Sequence, residues 1–180
     1  MKTILIFFLA FNLYADAKQD MFNLYQNKKY EDVCSIGFKN FYANKNDEEF
    51  VLTYSFACLY SDYIDRLAVP ITMLKFSTES RSNAAYFSVI LMQKKLLYHA
   101  LIDGYDVSMF KFPTTQYVLS KVFNLYSKLG KHEPRAFYIF EDPNDKKLTY
   151  KLYVINNKDL DKLIIEEFYD TIAVKRHIYW

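Results

Sequence analysis

Leu148, Tyr150, Leu152 and Val154 take every second position of the stretch "LTYKLYVI", with Thr149, Lys151 and Tyr153 between them. A side-chain period of two belongs to a strand with one buried face. Upstream of Pro134 the apolar residues follow the helical spacing instead. The period therefore changes near Pro134. That change restricts the fold class to α+β, with helical hairpins first and a small sheet-containing block last.

Within the last block, "AFYIF" and "LTYKLYVI" flank Glu141-Asp142-Pro143-Asn144-Asp145, which reads as the turn of a β-hairpin. Asn157 or Asp159 is then expected to start a helix on which Leu160, Leu163, Ile164 and Phe168 share a face. Ile172, Val174, Ile178 and Trp180 alternate with Ala173, Lys175, His177 and Tyr179, the pattern of a terminal strand. Strand, helix, strand implies a right-handed crossover and parallel pairing. The expectation for 134–180 is therefore a ββαβ block.

Upstream, helices are expected over 18–26, 30–43, 48–63, 65–76, 83–102 and 113–129. Asp47 reads as an N-cap, with Glu48 and Glu49 in the first turn where the helix dipole favours acids. Ser77 to Ser80 reads as a loop, and Asp103-Gly104 as a glycine-terminated helix end. With 3 Gly and 4 Pro in the chain, loop-rich folds are disfavoured. The cysteines Cys34 and Cys58 are equidistant from residue 46, inside the loop 44–47. In an antiparallel helical hairpin, residues equidistant from the loop lie at the same height, so the two thiols would face each other. A disulfide is expected in an oxidising compartment, the competing reading being two buried free thiols.

The segment "LYQNKKYEDV" resembles the turn half of a tetratricopeptide-type repeat. In that family an aromatic closes the first helix, a small residue makes the turn, and an aromatic then a small residue open the second. Tyr25, Tyr30 and Val33 fall at matching places. Lys28 stands at the usual small-residue place, and Val33 replaces the usual Ala. "LYSKLGKHEP" echoes the pattern with Gly130 in its turn, one residue further from Tyr126, and Pro134 interrupts the helix that should follow. The resemblance implies stacked helical hairpins with a surface that grips peptides or partner subunits. The echo itself reads as two similar helix ends and not as a duplicated domain.

The beginning of the sequence bears on location. Lys2 precedes an apolar run from Thr3 to Leu13, and Ala15-Asp16-Ala17 follows in the A-x-A pattern of a cleavage site, with Leu13-Tyr14-Ala15 as the alternative. A membrane anchor would need about 20 apolar residues, and Asn12, Asp16 and Lys18 interrupt too early. A cleaved bacterial signal peptide over 1–17 is expected, followed by a repeat-like helical domain over 18–133 and the ββαβ block over 134–180. The protein is then periplasmic. No integral membrane segment is expected after cleavage, since Val89-Ile90-Leu91-Met92 is closed off by Gln93, Lys94 and Lys95.

Charge and motifs exclude several function classes. Lys and Arg number 23 against 21 Asp and Glu, with no long block of one sign, so no nucleic acid partner is expected. His99, His132 and His177 fall in separate elements with no metal-ligand spacing. Neither a glycine-rich phosphate loop nor Gly-x-Ser-x-Gly is present. Asp142, Asn144 and Asp145 lack the glycine and distal glutamate of a calcium loop. Glu48-Glu49 and Glu166-Glu167 are adjacent acids that diverge on a helix and read as solvated faces. No cofactor is expected. The abundant Tyr and Phe read first as codon bias. The remaining expectation is a non-catalytic interaction or scaffold protein whose partners are other envelope proteins, for example in a secretion or flagellar motor complex. The alternative is a periplasmic enzyme or small-ligand binder with a site formed from scattered residues. Ile178, Tyr179 and Trp180 are the candidate partner-binding residues, because an exposed sheet edge accepts strands and Trp is enriched among interface anchors. Core closure and terminal fraying compete with that reading of Trp180.

Overall fold

The computed structural model describes residues 17–180, so the expected signal peptide lies outside the described residues except for Ala17. The chain forms two compact units that divide between Ala85 and Tyr86, inside a long helix. The sequence boundary at 133/134 marks the change of period, whereas the units divide by packing.

The first unit is helical. It holds α1 (17–26), α2 (Tyr30–Asn44), α3 (Glu48–Tyr60), a 3-10 turn (Ile64–Leu67), α4 (Ala68–Met73) and the first turns of α5 (Thr78–Asp103). The α1–α2 connection is tight because Lys28 adopts φ 58°, and the N–H groups of Lys28 and Lys29 return to the carbonyls of Tyr25 and Leu24 at 2.9 and 3.0 Å. Asp47 caps α3 as expected, its carboxylate accepting from the N–H groups of Glu49 and Phe50 at 3.1 and 3.2 Å. The expected helix at 65–76 is instead the 3-10 turn followed by α4. The expected loop at 77–80 is the start of α5. Ser77 is a cap, its hydroxyl accepting from the N–H of Ser80 at 3.0 Å, so a polar serine cluster opens the helix and does not interrupt it.

The second unit holds the rest of α5, α6 (Val118–Ser127) and four strands: β1 (Phe137–Glu141), β2 (Leu148–Ile155), β3 (Lys162–Tyr169) and β4 (Ile172–Tyr179). Gly104, at φ 70°, ends α5, its N–H bonding the carbonyl of Ala100 at 3.1 Å. Helix α6 starts later than the pattern suggests. Residues 113–117 are held out of it by side-chain bonds, the Ser120 hydroxyl accepting from the N–H of Thr115 at 2.9 Å.

The strands form one antiparallel sheet in the order β1-β2-β3-β4. The α+β order and the β1–β2 hairpin agree with the sequence, but the ββαβ topology is corrected: residues 162–169 are a strand, not a helix. Leu163, Ile164 and Ile165 are all fully buried in this inner strand, which is paired on both sides. Burial on both faces erases alternation, and a run such as "KLIIEEFY" then matches helical spacing by coincidence. The connection to β4 is a two-residue turn with Asp170 at φ 46° and Thr171 at φ 72°. Two positive φ values are those of a primed hairpin turn, so β3 and β4 run antiparallel and no crossover is needed.

One sheet face packs on the helices of its own unit. Tyr138, Tyr150, Leu152, Ile165, His177 and Tyr179 on this face are buried. The Tyr98 hydroxyl reaches the carbonyl of Asp161 at 2.8 Å, and the buried ammonium of Lys94 donates to the carbonyl of Trp180. No helix among the described residues is long and apolar enough to cross a membrane.

Candidate binding site at the start of strand β1

Among the described residues, strand order makes β1 and β4 the edges of the sheet. The N–H of Asp142 bonds the carbonyl of Leu148 at 2.9 Å, which fixes the alternation of the ladder. Phe140 and Tyr138 then point their backbone groups toward β2, while Phe137, Ile139 and Glu141 turn theirs outward. The same alternation puts Tyr138 and Phe140 in the interior and leaves Phe137, Ile139 and Glu141 exposed.

A cleft of about 280 Å³ opens where β1 begins, lined among others by Tyr126, His132, Arg135, Tyr138, Asn156 and the end of α5. His132 and Tyr138 organise it. The Nδ1 of His132 lies 2.7 Å from the carbonyl of Gly130, which can only accept, so Nδ1 carries the proton. The Nε2 is then an acceptor for the Tyr138 hydroxyl at 3.1 Å, and that hydroxyl also accepts from the N–H of Arg135 at 3.2 Å. The Tyr126 ring stands edge-on to both, with centroids 5.3 Å from His132 and 5.1 Å from Tyr138. Burial pushes the Tyr126 hydroxyl well above its ordinary pKa, and Tyr138 adds to the shift, so it stays a neutral phenol. Arg135 lays its guanidinium 5.7 Å from the Tyr138 ring centroid, itself exposed and without a carboxylate partner among the described residues. The arrangement offers a cation, fixed donors and aromatic walls. It suits binding of an anionic group.

A buried ionic cluster anchors the far end of β1. Asp142 accepts from the Tyr150 hydroxyl, from the N–H of Asn144 at 2.9 Å and from Lys121 of α6 at 3.1 Å. Burial works against the Asp142 charge, but these three donors outweigh it and bring its pKa down to about 2. Burial, and then the Asp142 charge, pushes Tyr150 upward. A carboxyl depressed in the folded state contributes stability above its unfolded pKa and loses it as pH falls through the folded value. From an ordinary value of 3.8 to about 2, the contribution is about 2 kcal/mol at neutral pH. Asp142→Asn is therefore expected to be less stable than wild type by about that amount at pH 7. The gap should close between about pH 5 and pH 2, as measured by denaturant melts across that range. A gap independent of pH would show that the Asp142 charge contributes nothing.

The sequence-predicted residues fall in two places. Cys34 and Cys58 are buried in the first unit with sulfurs 2.06 Å apart, a disulfide distance. At the end of β4, Tyr179 is a core residue, 1% exposed, with its hydroxyl 3.1 Å from that of Tyr117. Ile178 is half-buried opposite Ile164, and Trp180 is 42% exposed. His177 is buried against Glu167 at 2.9 Å, and His99 pairs with Asp103 on the surface of α5. Among the described residues no group of His, Cys, Asp and Glu is placed to hold a metal ion. The cleft itself was not read from the sequence. Its walls come from α5, α6, the 130–136 loop and the strands, and only the nearness of His132, Arg135 and Tyr138 in the chain hinted at it. No family model matches the chain, and neither a curated protein nor a solved structure does.

Proposed function

We propose that the chain is a non-catalytic periplasmic interaction protein, an accessory part of an envelope assembly such as a secretion or flagellar motor complex. The observation that carries this reading is the outer face of the sheet. Phe137, Ile139 and Val174 project from it at 51%, 62% and 57% exposure. Charged groups stand among them: Lys151 lies over the Phe137 and Tyr153 rings at 5.3 Å, and Arg176 lies beside Glu166 at 3.6 Å. Large apolar side chains interspersed with charged groups are what a docking surface needs. Ile178 and Trp180 extend the candidate surface toward the end of β4.

The cleft favours a second reading, a small-ligand binder. It lies just below the roughly 300–1,000 Å³ range of small-molecule sites, and its walls are largely polar. Crosslinking in intact envelopes, followed by recovery of the tagged full chain, tests the first reading. A discrete envelope protein recovered with wild type, and recovered less with Val174→Glu at unchanged melting temperature, is the expected result. Recovery of the chain alone at every crosslinker length would overturn the interaction reading.

A further inference from the structure

We propose that the partner binds as an extended segment paired with the free edge of β1, its own carboxylate seated at Arg135. The proposal rests on the interaction reading above and names the surface and the kind of partner.

The two edges of the sheet are not equivalent. Strand β4 carries Lys175 and Arg176, and its ladder with β3 is broken by a register shift at Glu167/Phe168. Charged side chains and bulges are the usual means of keeping an edge from accepting another strand. Strand β1, "FYIFE", has no lysine, arginine, proline or bulge in its pairing with β2. Its outward backbone groups belong to Phe137, Ile139 and Glu141, whose side chains are exposed. A strand added there completes an ordinary antiparallel or parallel ladder, the main chain supplying affinity and alternate side chains supplying specificity.

Charge defines the occupant further. Arg135 sits just before β1 with no acid beside it among the described residues, and Glu141 closes the strand at the other end. The complementary segment carries a carboxylate at the Arg135 end, aliphatic residues at alternate positions against Phe137 and Ile139, and a cation near Glu141. A bidentate arginine–carboxylate contact fixes the register as well as the affinity. The Tyr138 hydroxyl, itself bonded to His132, accepts from the backbone N–H of Arg135, and the Arg135 guanidinium lies over the Tyr138 ring at the start of the strand.

The test pans a phage-displayed library of random octapeptides on the immobilised full chain and measures the selected peptides by titration. The expected peptides alternate aliphatic residues and carry an acid at one end. Arg135→Glu and Ile139→Pro each weaken them by about tenfold or more, while Lys175→Glu on the other edge leaves them unchanged. Ile139→Pro removes an outward N–H and leaves the ladder bonds of Tyr138 and Phe140 intact. Melting curves confirm that it folds, and if it does not, Arg135→Glu decides alone. Peptides without an acid, or peptides bound equally by both β1 variants, would overturn the proposal. So would a wild-type dimer that Ile139→Pro dissociates, since the occupant would then be a second copy of this chain. If crosslinking recovers the same envelope partner from wild type and both β1 variants, the interaction reading stands and the β1 assignment falls.

Discussion

Replacing Cys34 and Cys58 together by alanine is expected to lower the stability of the first unit by about 3 kcal/mol. The two residues are 24 apart in sequence, and both are fully buried where α2 and α3 lie side by side. Closing a loop of that length in the unfolded chain removes much of the entropy gained on unfolding, which is the main source of the estimate. The loss corresponds to a fall in melting temperature of about 12–24 °C for a unit of this size. Alanine fits the site sterically, so no new clash confuses the measurement. Arg66 donates to the sulfur of Cys34 at 3.2 Å, but it also stacks on Phe38 and Tyr63 at 4.8 and 4.5 Å and stays in place without the sulfur. The control is reductant. Wild type melted with dithiothreitol should approach the double variant, and the double variant should not respond. A wild type indifferent to reductant would mean that the pair is not bonded.

The hairpin that brings these cysteines together was legible because its geometry is symmetric. Asp47 capped the second helix, the loop was short, and equal distance from the loop placed the thiols at one height. The first strands were legible for a similar reason: one face of β2 is buried and the other is open, so the alternation reached the sequence. Strand β3 was not legible. Leu163, Ile164 and Ile165 are buried on both faces by neighbours that the local sequence does not reveal. The turn that follows was equally silent, since Asp170 and Thr171 adopt positive φ without a glycine to announce it. Ser77 misled by composition, because serine favours loops and helix caps for the same hydrogen-bonding reason. The candidate site stayed hidden for a different cause. Arg135 is one of four arginines in the sequence, and its meaning comes from the edge strand beside it and the tyrosine beneath it.

Gly37→Ala is expected to destabilise the first unit by about 2 kcal/mol, and Gly37→Leu to prevent its folding. Gly37 is buried in the middle of α2, where glycine ordinarily costs about 1 kcal/mol against alanine, so propensity alone would make the alanine variant more stable. The packing reverses the sign. A Cβ at this position would lie 2.4 Å from Cδ2 of Tyr54 and 2.9 Å from its Cβ and Cγ. The ring could swing away from a contact at its edge, but a contact with its own Cβ and Cγ can be relieved only by moving a helix. Tyr54 has nowhere to go: it is 2% exposed, and its ring lies against Phe41 with centroids 5.5 Å apart. Cys34, Gly37 and Phe41 thus share the face of α2 that meets Tyr54 and Cys58 of α3, and the 4.8 Å between the cysteine Cα atoms depends on the missing side chain. A double-variant cycle isolates the contact. Tyr54→Ala alone should cost about 3–5 kcal/mol as a large-to-small core change. Added to Tyr54→Ala, however, Gly37→Ala should be neutral or stabilising, because the clash is gone and the helix propensity remains. Additive losses in the cycle would show that Gly37 is required for some reason other than its contact with Tyr54.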